Sequence, residues 1–269
     1  MNNRYSFEEV KDSAKLTDAW WTVKVIDPIA LRLTYLFANY TGFTPNQITL
    51  FSLIFGLVSA IFFLKGDHLN LILGAVAMEL SFVFDCVDGK IARLKKTGTQ
   101  FGAYWDFIQD RLVQFAALFA LIWSQYQLTG NTVFWILGMT YVFADALHRT
   151  SSFHTRRLVA KVEKEAGRIP GTQTKEEIEK VLAQYAKTHS AWKAFIKRWL
   201  IKNRLVTFPT TIETRVLLFF VSTIINQVYW GLVSAVAALA FLTLIKSVTD
   251  LRHLYNISSN QEGNFPNIN

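Results

Sequence analysis

Long apolar runs separated by short polar breaks make up most of this chain. Residues 44–49 (TPNQIT) open the first run. Thr44 can cap a helix, Pro45 suits its first position and Gln47 completes a capping box. Apolar residues then continue to Leu64, and KGDH ends the helix. A second run starts near Leu71 and reaches Phe84, and a third extends from about Gly102 to Gln125. A fourth runs from Thr132 to about Ala144 and continues helically through Asp145, His148 and Arg149. Residues 212–225 form the fifth and residues 229–246 the sixth. A bilayer core of ~30 Å takes about 20 helical residues. The pattern therefore predicts an all-α integral membrane fold with six transmembrane helices. Residues 27–41 are apolar but too short and interrupted to span, and read as an interfacial amphipathic helix that precedes the six.

This pattern divides the chain into residues 1–43, a cytoplasmic N-terminus with the interfacial helix; 44–250, the transmembrane catalytic domain; and 251–269, a polar cytoplasmic tail. Composition agrees, with 51% hydrophobic and only 18% charged residues, less charge than an ordinary soluble domain carries. The first twenty residues are polar and mixed in charge, unlike a secretory signal. A lone Cys86 excludes an internal disulfide framework.

Charge changes the picture in one place. Residues 151–209 hold 13 Lys/Arg against 5 Asp/Glu, which accounts for the whole net charge of +8. One strongly basic loop, counted as residues 150–209, argues against nucleic acid as a partner and for retention in the cytoplasm. With six spans, Arg93, Lys95 and Lys96 face the same side as this loop. Within it, Lys193, Lys197 and Arg198 with Trp192 and Trp199 read as a membrane-surface face.

Against this background, DCVDGKIARLKKTGTQFGAYWDFIQD (85–110) is anomalous, because it places four aspartates between two apolar runs. Counting 1.5 Å per residue from Leu71 puts Asp85 ~21 Å inward, and counting back from Gln125 puts Asp110 ~22 Å inward. Asp85 and Asp88 are three apart and Asp106 and Asp110 four apart, so each pair shares a helix face. Clustered carboxylates repel one another and resist desolvation. A cationic group must offset that cost, and all-oxygen ligands suit hard divalent ions such as Mg²⁺ or Mn²⁺. Two such ions would suit attack on a phosphoryl group. Gly89 and Gly102 remove side chains where helices or a ligand must approach closely.

These residues carry a resemblance. The sequence matches D-x2-D-G-x2-A-R-x8-G-x3-D-x3-D at Asp85, Asp88, Gly89, Ala92, Arg93, Gly102, Asp106 and Asp110, and so resembles the CDP-alcohol phosphotransferases. TPNQIT is similar to that family's entry to its first spanning helix, while the basic loop is long for the family. The resemblance implies transfer of a substituted phosphate from a CDP-linked donor, with CDP-diacylglycerol expected, to the hydroxyl of a small polar alcohol, with release of CMP. It implies that Asp85, Asp88 and Asp106 bind two divalent cations and that Asp110 is the general base while also touching the second ion. Gly89, Ala92 and Gly102 would line the cytidine site with Arg93 in support. A homodimer with membrane lipids around it and its active site facing the cytoplasm is the expected setting.

Other residues carry two readings each. Asn46 could approach the nucleotide or serve only as a first-turn helix residue. Asp145, His148 and Arg149 could form the acceptor pocket or an internal ion pair that closes the helix end, and Glu213 and Arg215 carry the same ambiguity. His154, Arg156 and Arg157 fit the headgroup surface, and Cys86 fits packing. A CDP-linked soluble polyol as donor is the alternative within the same chemistry. A divalent-cation transporter lined by the four aspartates is a rival from another class, though such a site belongs nearer the midplane between broken helices.

Overall fold

The computed structural model describes residues 4–165, 191–206 and 210–262, and all regular structure among them is helical. Contacts divide the chain into two units, one comprising residues 1–140 and 199–235 and the other residues 141–198 and 236–269.

In the first unit, α1 (Phe7–Asp12) is followed by a π-helical turn (Thr22–Ile26) that runs directly into α2 (Asp27–Tyr40). Asp27, Ala30 and Thr34 lie along one buried stripe of α2, while Ile29, Leu36 and Tyr40 are exposed. A two-sided helix thus stands where the interfacial helix is expected. The predicted capping box starts α3 (Pro45–Lys65): the Thr44 hydroxyl accepts from the Gln47 N–H, and Thr44 N–H donates to Gln47 Oε1 at 2.9 Å. Gly66 ends α3 at φ +79°, a left-handed conformation that glycine adopts without strain. Asp67 then caps α4 (His68–Leu94), its carboxyl held below the usual carboxylate range by bonds from the Asn70 side chain and N–H.

α4 runs unbroken through DCVDGKIAR, so the first half of the motif sits on one continuous helix. Ile26, Ala30, Ile48, Val83, Val87 and Ile91 make the core between α2, α3 and α4. The α3–α4 seam is also tied by polar bonds. Ser52 Oγ donates to Ser81 O at 2.9 Å, Ser81 Oγ donates back to Ser52 O at 2.8 Å, and Ser59 Oγ donates to Gly74 O at 2.7 Å. α5 (Gln100–Thr129) packs on α3, where a Cβ on Gly56 would stand 2.4 Å from Val113 Cγ1. Such bonds matter most where neither water nor lipid can supply a partner.

α6 (Val133–Glu165) begins in the first unit and continues into the second. α7 (Ala191–Lys202) has no buried residue. α8 starts at Thr211–Val216, passes a π-helical turn at Leu217–Val221 and ends at Ser222–Ile224. α9 (Val228–Glu262) closes the described chain. In the second unit α6 and α9 are linked by a Thr155 Oγ1–Asp250 Oδ2 bond of 2.8 Å and a Thr243–His148 contact of 3.3 Å, with Lys246 pairing to Asp250.

Two helices run beyond the apolar segments that announce them. The tail assigned to residues 251–269 is helical through Glu262, and the fourth segment extends past Arg149 to Glu165. Both stretches lack Gly and Pro, so nothing stops the helix where the hydropathy falls. Among the described residues, four helices are long and apolar enough to cross a membrane: Pro45–Lys65, His68–Leu94, Gln100–Thr129 and Val228–Arg252. The expected fourth span falls on α6. The expected fifth falls on α8, whose 14 helical residues reach roughly 21 Å. The part of the basic loop at residues 166–190 lies outside the described residues.

Candidate active site

The connection between α4 and α5 positions the acids. Lys95 caps α4, Lys96 turns the chain at φ +55°, Thr97 N–H bonds Ala92 O at 3.0 Å, and the Thr99 hydroxyl caps α5 through Gly102 N–H at 3.0 Å. This short reversal brings both halves of the motif against α3, and their acidic side chains reach toward one another. Asp85 stands within electrostatic reach of Asp110, Asp88 and Asp106, and its side chain meets that of Asp106. The four predicted aspartates thus form one cluster. Asp88 is buried and in contact with Thr49, and Gln109 Nε2 donates to Thr49 O at 2.7 Å.

Asp110 accepts a 2.8 Å bond from Arg111 Nη2, and Arg215 Nη1 lies 3.9 Å from the same Asp110 oxygen. Arg111 in turn donates to Gln114 Oε1 at 2.7 Å. A small recess beside them is lined by Ser52, Ser81, Phe82, Asp85, Gln109, Asp110 and Arg215. Asp110 therefore lines this recess with one carboxylate oxygen held by Arg111 and close to Arg215.

The two motif glycines lie against polar side chains. A Cβ on Gly89 would meet only the guanidinium of Arg93, at 3.2 Å. Arg93 is held over it by an Nε bond of 2.6 Å to Ser13 O. A Cβ on Gly102 would meet Thr99 Oγ1 at 3.1 Å and Asn46 Oδ1 at 3.2 Å. Asn46 therefore stands beside Gly102. Ala92 is half-buried on the same helix as Gly89.

Other candidates fall elsewhere. Both carboxylate oxygens of Glu213 are engaged, Oε2 in the cap of α8 with Thr210 and Oε1 with Trp21 N–H at 3.3 Å. Glu213 is thus a structural residue of the helix start. In the second unit, Arg149 Nε donates to Asp145 Oδ2 at 2.7 Å, the ion pair that was one of the two expectations. His148 is half-buried against Thr243. His154 and Arg157 are exposed, and the Arg156 side chain lies outside the description.

Three groups escaped the sequence reading. Arg111 is one. Glu79 is another: its Oε2 accepts from Trp21 Nε1 at 3.0 Å, and it interacts with Arg215. An acid in the middle of LILGAVAMELSFVF was the available signal. The third is the buried Lys90, inside the motif itself. Its Nζ lies 2.8 Å from Asp27 Oδ1, and Arg204 Nη2 lies 3.0 Å from Asp27 Oδ2.

Two buried carboxylate oxygens, Asp88 Oδ2 and Asp106 Oδ1, have no hydrogen-bond partner. Buried acceptors are rarely left unpaired, and hard oxygen donors of this kind fit Mg²⁺ or Mn²⁺. Among the described residues no three acidic, imidazole or thiolate groups are closed around one point as ligands, so an ion would have to draw the carboxylates together.

Fold and cluster define a helical protein with membrane-length segments that presents four acids from two adjacent helices. Its family follows from comparison: a profile of the CDP-alcohol phosphatidyltransferase family matches residues 43–196, more than half of the chain, and the protein belongs to that family. A phosphatidylinositol phosphate synthase of Mycobacteroides abscessus is 34% identical over 100 residues, covering 37% of this chain and 42% of that protein. A bifunctional IPC transferase and DIPP synthase of Aquifex aeolicus is 37% identical over 79 residues, covering 29% and 18%. One of the same description from Archaeoglobus fulgidus is 31% identical over 126 residues, covering 46% and 24%. The matches thus span less than half the length of these relatives.

Proposed function

We propose that this protein transfers a substituted phosphate group from CDP-diacylglycerol to the hydroxyl of a small polar alcohol, releasing CMP. The observation that carries this reading is the convergence of Asp85, Asp88, Asp106 and Asp110 beside the bare backbone of Gly89 and Gly102. Membership of the family supports the reaction class. The phosphatidyl product in the name of the M. abscessus relative supports a diacylglycerol donor.

In this reading Asp85, Asp88 and Asp106 hold two divalent cations. When bound, these supply neutralisation of the diphosphate charge and a lowered pKa for the acceptor hydroxyl. Gly89, Ala92 and Gly102 let the cytidine lie close to the backbone, with Asn46 and Arg93 at its edges. Asp110 accepts the hydroxyl proton as the acceptor oxygen bonds to the phosphorus bearing the diacylglycerol group. The bond from that phosphorus to the bridging oxygen breaks in line, and CMP leaves with its electron pair. Arg111 and Arg215 keep the Asp110 carboxylate aimed at the recess. Arg215, with Phe82 beneath it at 6.0 Å from the ring centroid, also favours an anionic acceptor, one carrying a phosphate or carboxylate. The setting is a six-span protein with α2 on the cytoplasmic surface and the active site opening there.

The test is incubation of purified protein with CDP-diacylglycerol, Mg²⁺ or Mn²⁺ and a panel of serine, inositol, inositol phosphate and glycerol phosphate, with products identified by mass. CMP release with one acceptor, lost in Asp110→Asn, is expected. Turnover retained in that variant removes the assigned base. Metal uptake into proteoliposomes without any CMP release favours the transporter instead.

A further inference from the structure

We infer that α7 is a docking helix for an anionic lipid surface. The helix AWKAFIKRWLIK carries Trp192, Phe195, Ile196 and Trp199 at positions i, i+3, i+4 and i+7, a single stripe. All four are exposed, Trp192 at 69% and Phe195 at 60%. A stripe this apolar is not stable against water and needs a cover. Its cover is indicated by charge. Lys193, Lys197, Arg198 and Lys202 supply four cations and the helix contains no acid. At 100° per residue Lys193 and Lys202 flank the two edges of the stripe. Their stems can lie along the apolar boundary while their ammonium groups reach lipid phosphates.

The position of α7 in the chain supports the same occupant. Immediately after it, Arg204 donates to Lys15 O at 3.0 Å and pairs with Asp27, the first residue of α2. Leu205 lies in a parallel bridge with Asp18, with Asp18 N–H bonding Arg204 O at 2.8 Å and Val206 N–H bonding Asp18 O at 3.0 Å. The end of α7 is thereby pinned to the segment that leads into the amphipathic α2. This inference rests on the membrane setting proposed above. It adds that α7 reads headgroup charge through Lys193 and Lys202 while its aromatic stripe enters the interface.

The test uses the full chain carrying Phe195→Cys, labelled with a nitroxide and reconstituted in phosphatidylcholine vesicles with or without about one-third phosphatidylglycerol. Protein lacking the substitution, treated identically, sets the background from Cys86. Spin relaxation by oxygen and by a water-soluble nickel chelate reports depth. In the anionic vesicles the label at 195 is expected to gain oxygen contact and lose nickel contact, whereas a label at Arg198→Cys stays open to nickel. Lys193→Gln and Lys202→Gln should each weaken immersion about fivefold, as should raised salt. A label at 195 that stays water-exposed in anionic vesicles overturns the inference. So does one shielded from both relaxants, which means that protein, from this chain or a second copy, covers the stripe. Equal immersion with and without phosphatidylglycerol overturns the charge recognition. Flotation separates the two readings: protein that does not float with vesicles defeats the membrane setting itself, whereas floating protein with an aqueous label defeats only the role of α7.

Discussion

Replacing Asp27 should destabilise the protein far more than replacing either of its cationic partners. The Lys90 and Asp27 side chains are 4% and 5% exposed, and they meet at 2.8 Å. In Asp27→Leu the Lys90 ammonium stays buried with the Cys86 carbonyl at 3.3 Å. Leaving a charge uncompensated in such a place costs about 3–5 kcal/mol. In Lys90→Met, Asp27 keeps its bond to Arg204, so the loss is about 1.5–3 kcal/mol, that of one charge-assisted hydrogen bond. The Arg204 side chain is a third exposed, and removing its ion pair costs at most about 1 kcal/mol. The double variant Asp27→Leu/Lys90→Met should be more stable than Asp27→Leu alone, because apolar packing can replace a buried ion pair at little cost. The assay is unfolding in mixed micelles of increasing SDS content, followed by helical circular dichroism. If the double variant loses the sum of the two single losses, or Asp27→Leu loses no more than Lys90→Met, the buried triad does not stabilise the fold as described.

Gly89→Ala should fold about as well as the parent, since the Arg93 guanidinium need shift only a few tenths of an ångström from the new Cβ and alanine is about 1 kcal/mol better in a helix. Its CMP release should nevertheless fall at least about tenfold if the nucleotide lies against that backbone. Gly56→Ala should do the reverse, losing about 1–3 kcal/mol from a clash with the stiff Val113 side chain while donor KM stays unchanged. Trp21→Phe should cost about 1–3 kcal/mol by leaving the Glu79 carboxylate without its indole donor, and a second substitution, Glu79→Leu, should recover part of it in the same unfolding assay. Chelation by EDTA should abolish CMP release and added Mg²⁺ or Mn²⁺ should restore it, while turnover that survives chelation would refute the ligand assignment.

The parts of the fold written in local signals were legible. The Thr44–Gln47 box announces α3 because both partners lie within one turn. The aspartate pairs could be matched in depth because helical rise is fixed. Helix ends were less legible where apolarity served as the guide. α9 continues through polar residues to Glu262, the last described residue, so a fall in hydropathy near Lys246 does not end the helix. The π-helical turn in α8 has no local signature. Long-range partners were out of reach altogether: Glu79 and Trp21 are 58 residues apart, and Arg204 and Asp27 are 177 apart. Glu213 shows the opposite case, since Thr210 and Glu213 at capping-box spacing already offered a structural reading of that acid.

The spacing of the buried triad along the chain also has a consequence for assembly. A ribosome makes Asp27 first, Lys90 next and Arg204 last. Once α5 has been translated, the nascent chain holds all four aspartates and the Asp27–Lys90 pair. The lysine inside the motif can thus be neutralised as α4 enters the bilayer, before the basic loop exists. Arg204 then finds a carboxylate already in place, and its arrival fastens the late part of the chain onto a framework that earlier residues have built.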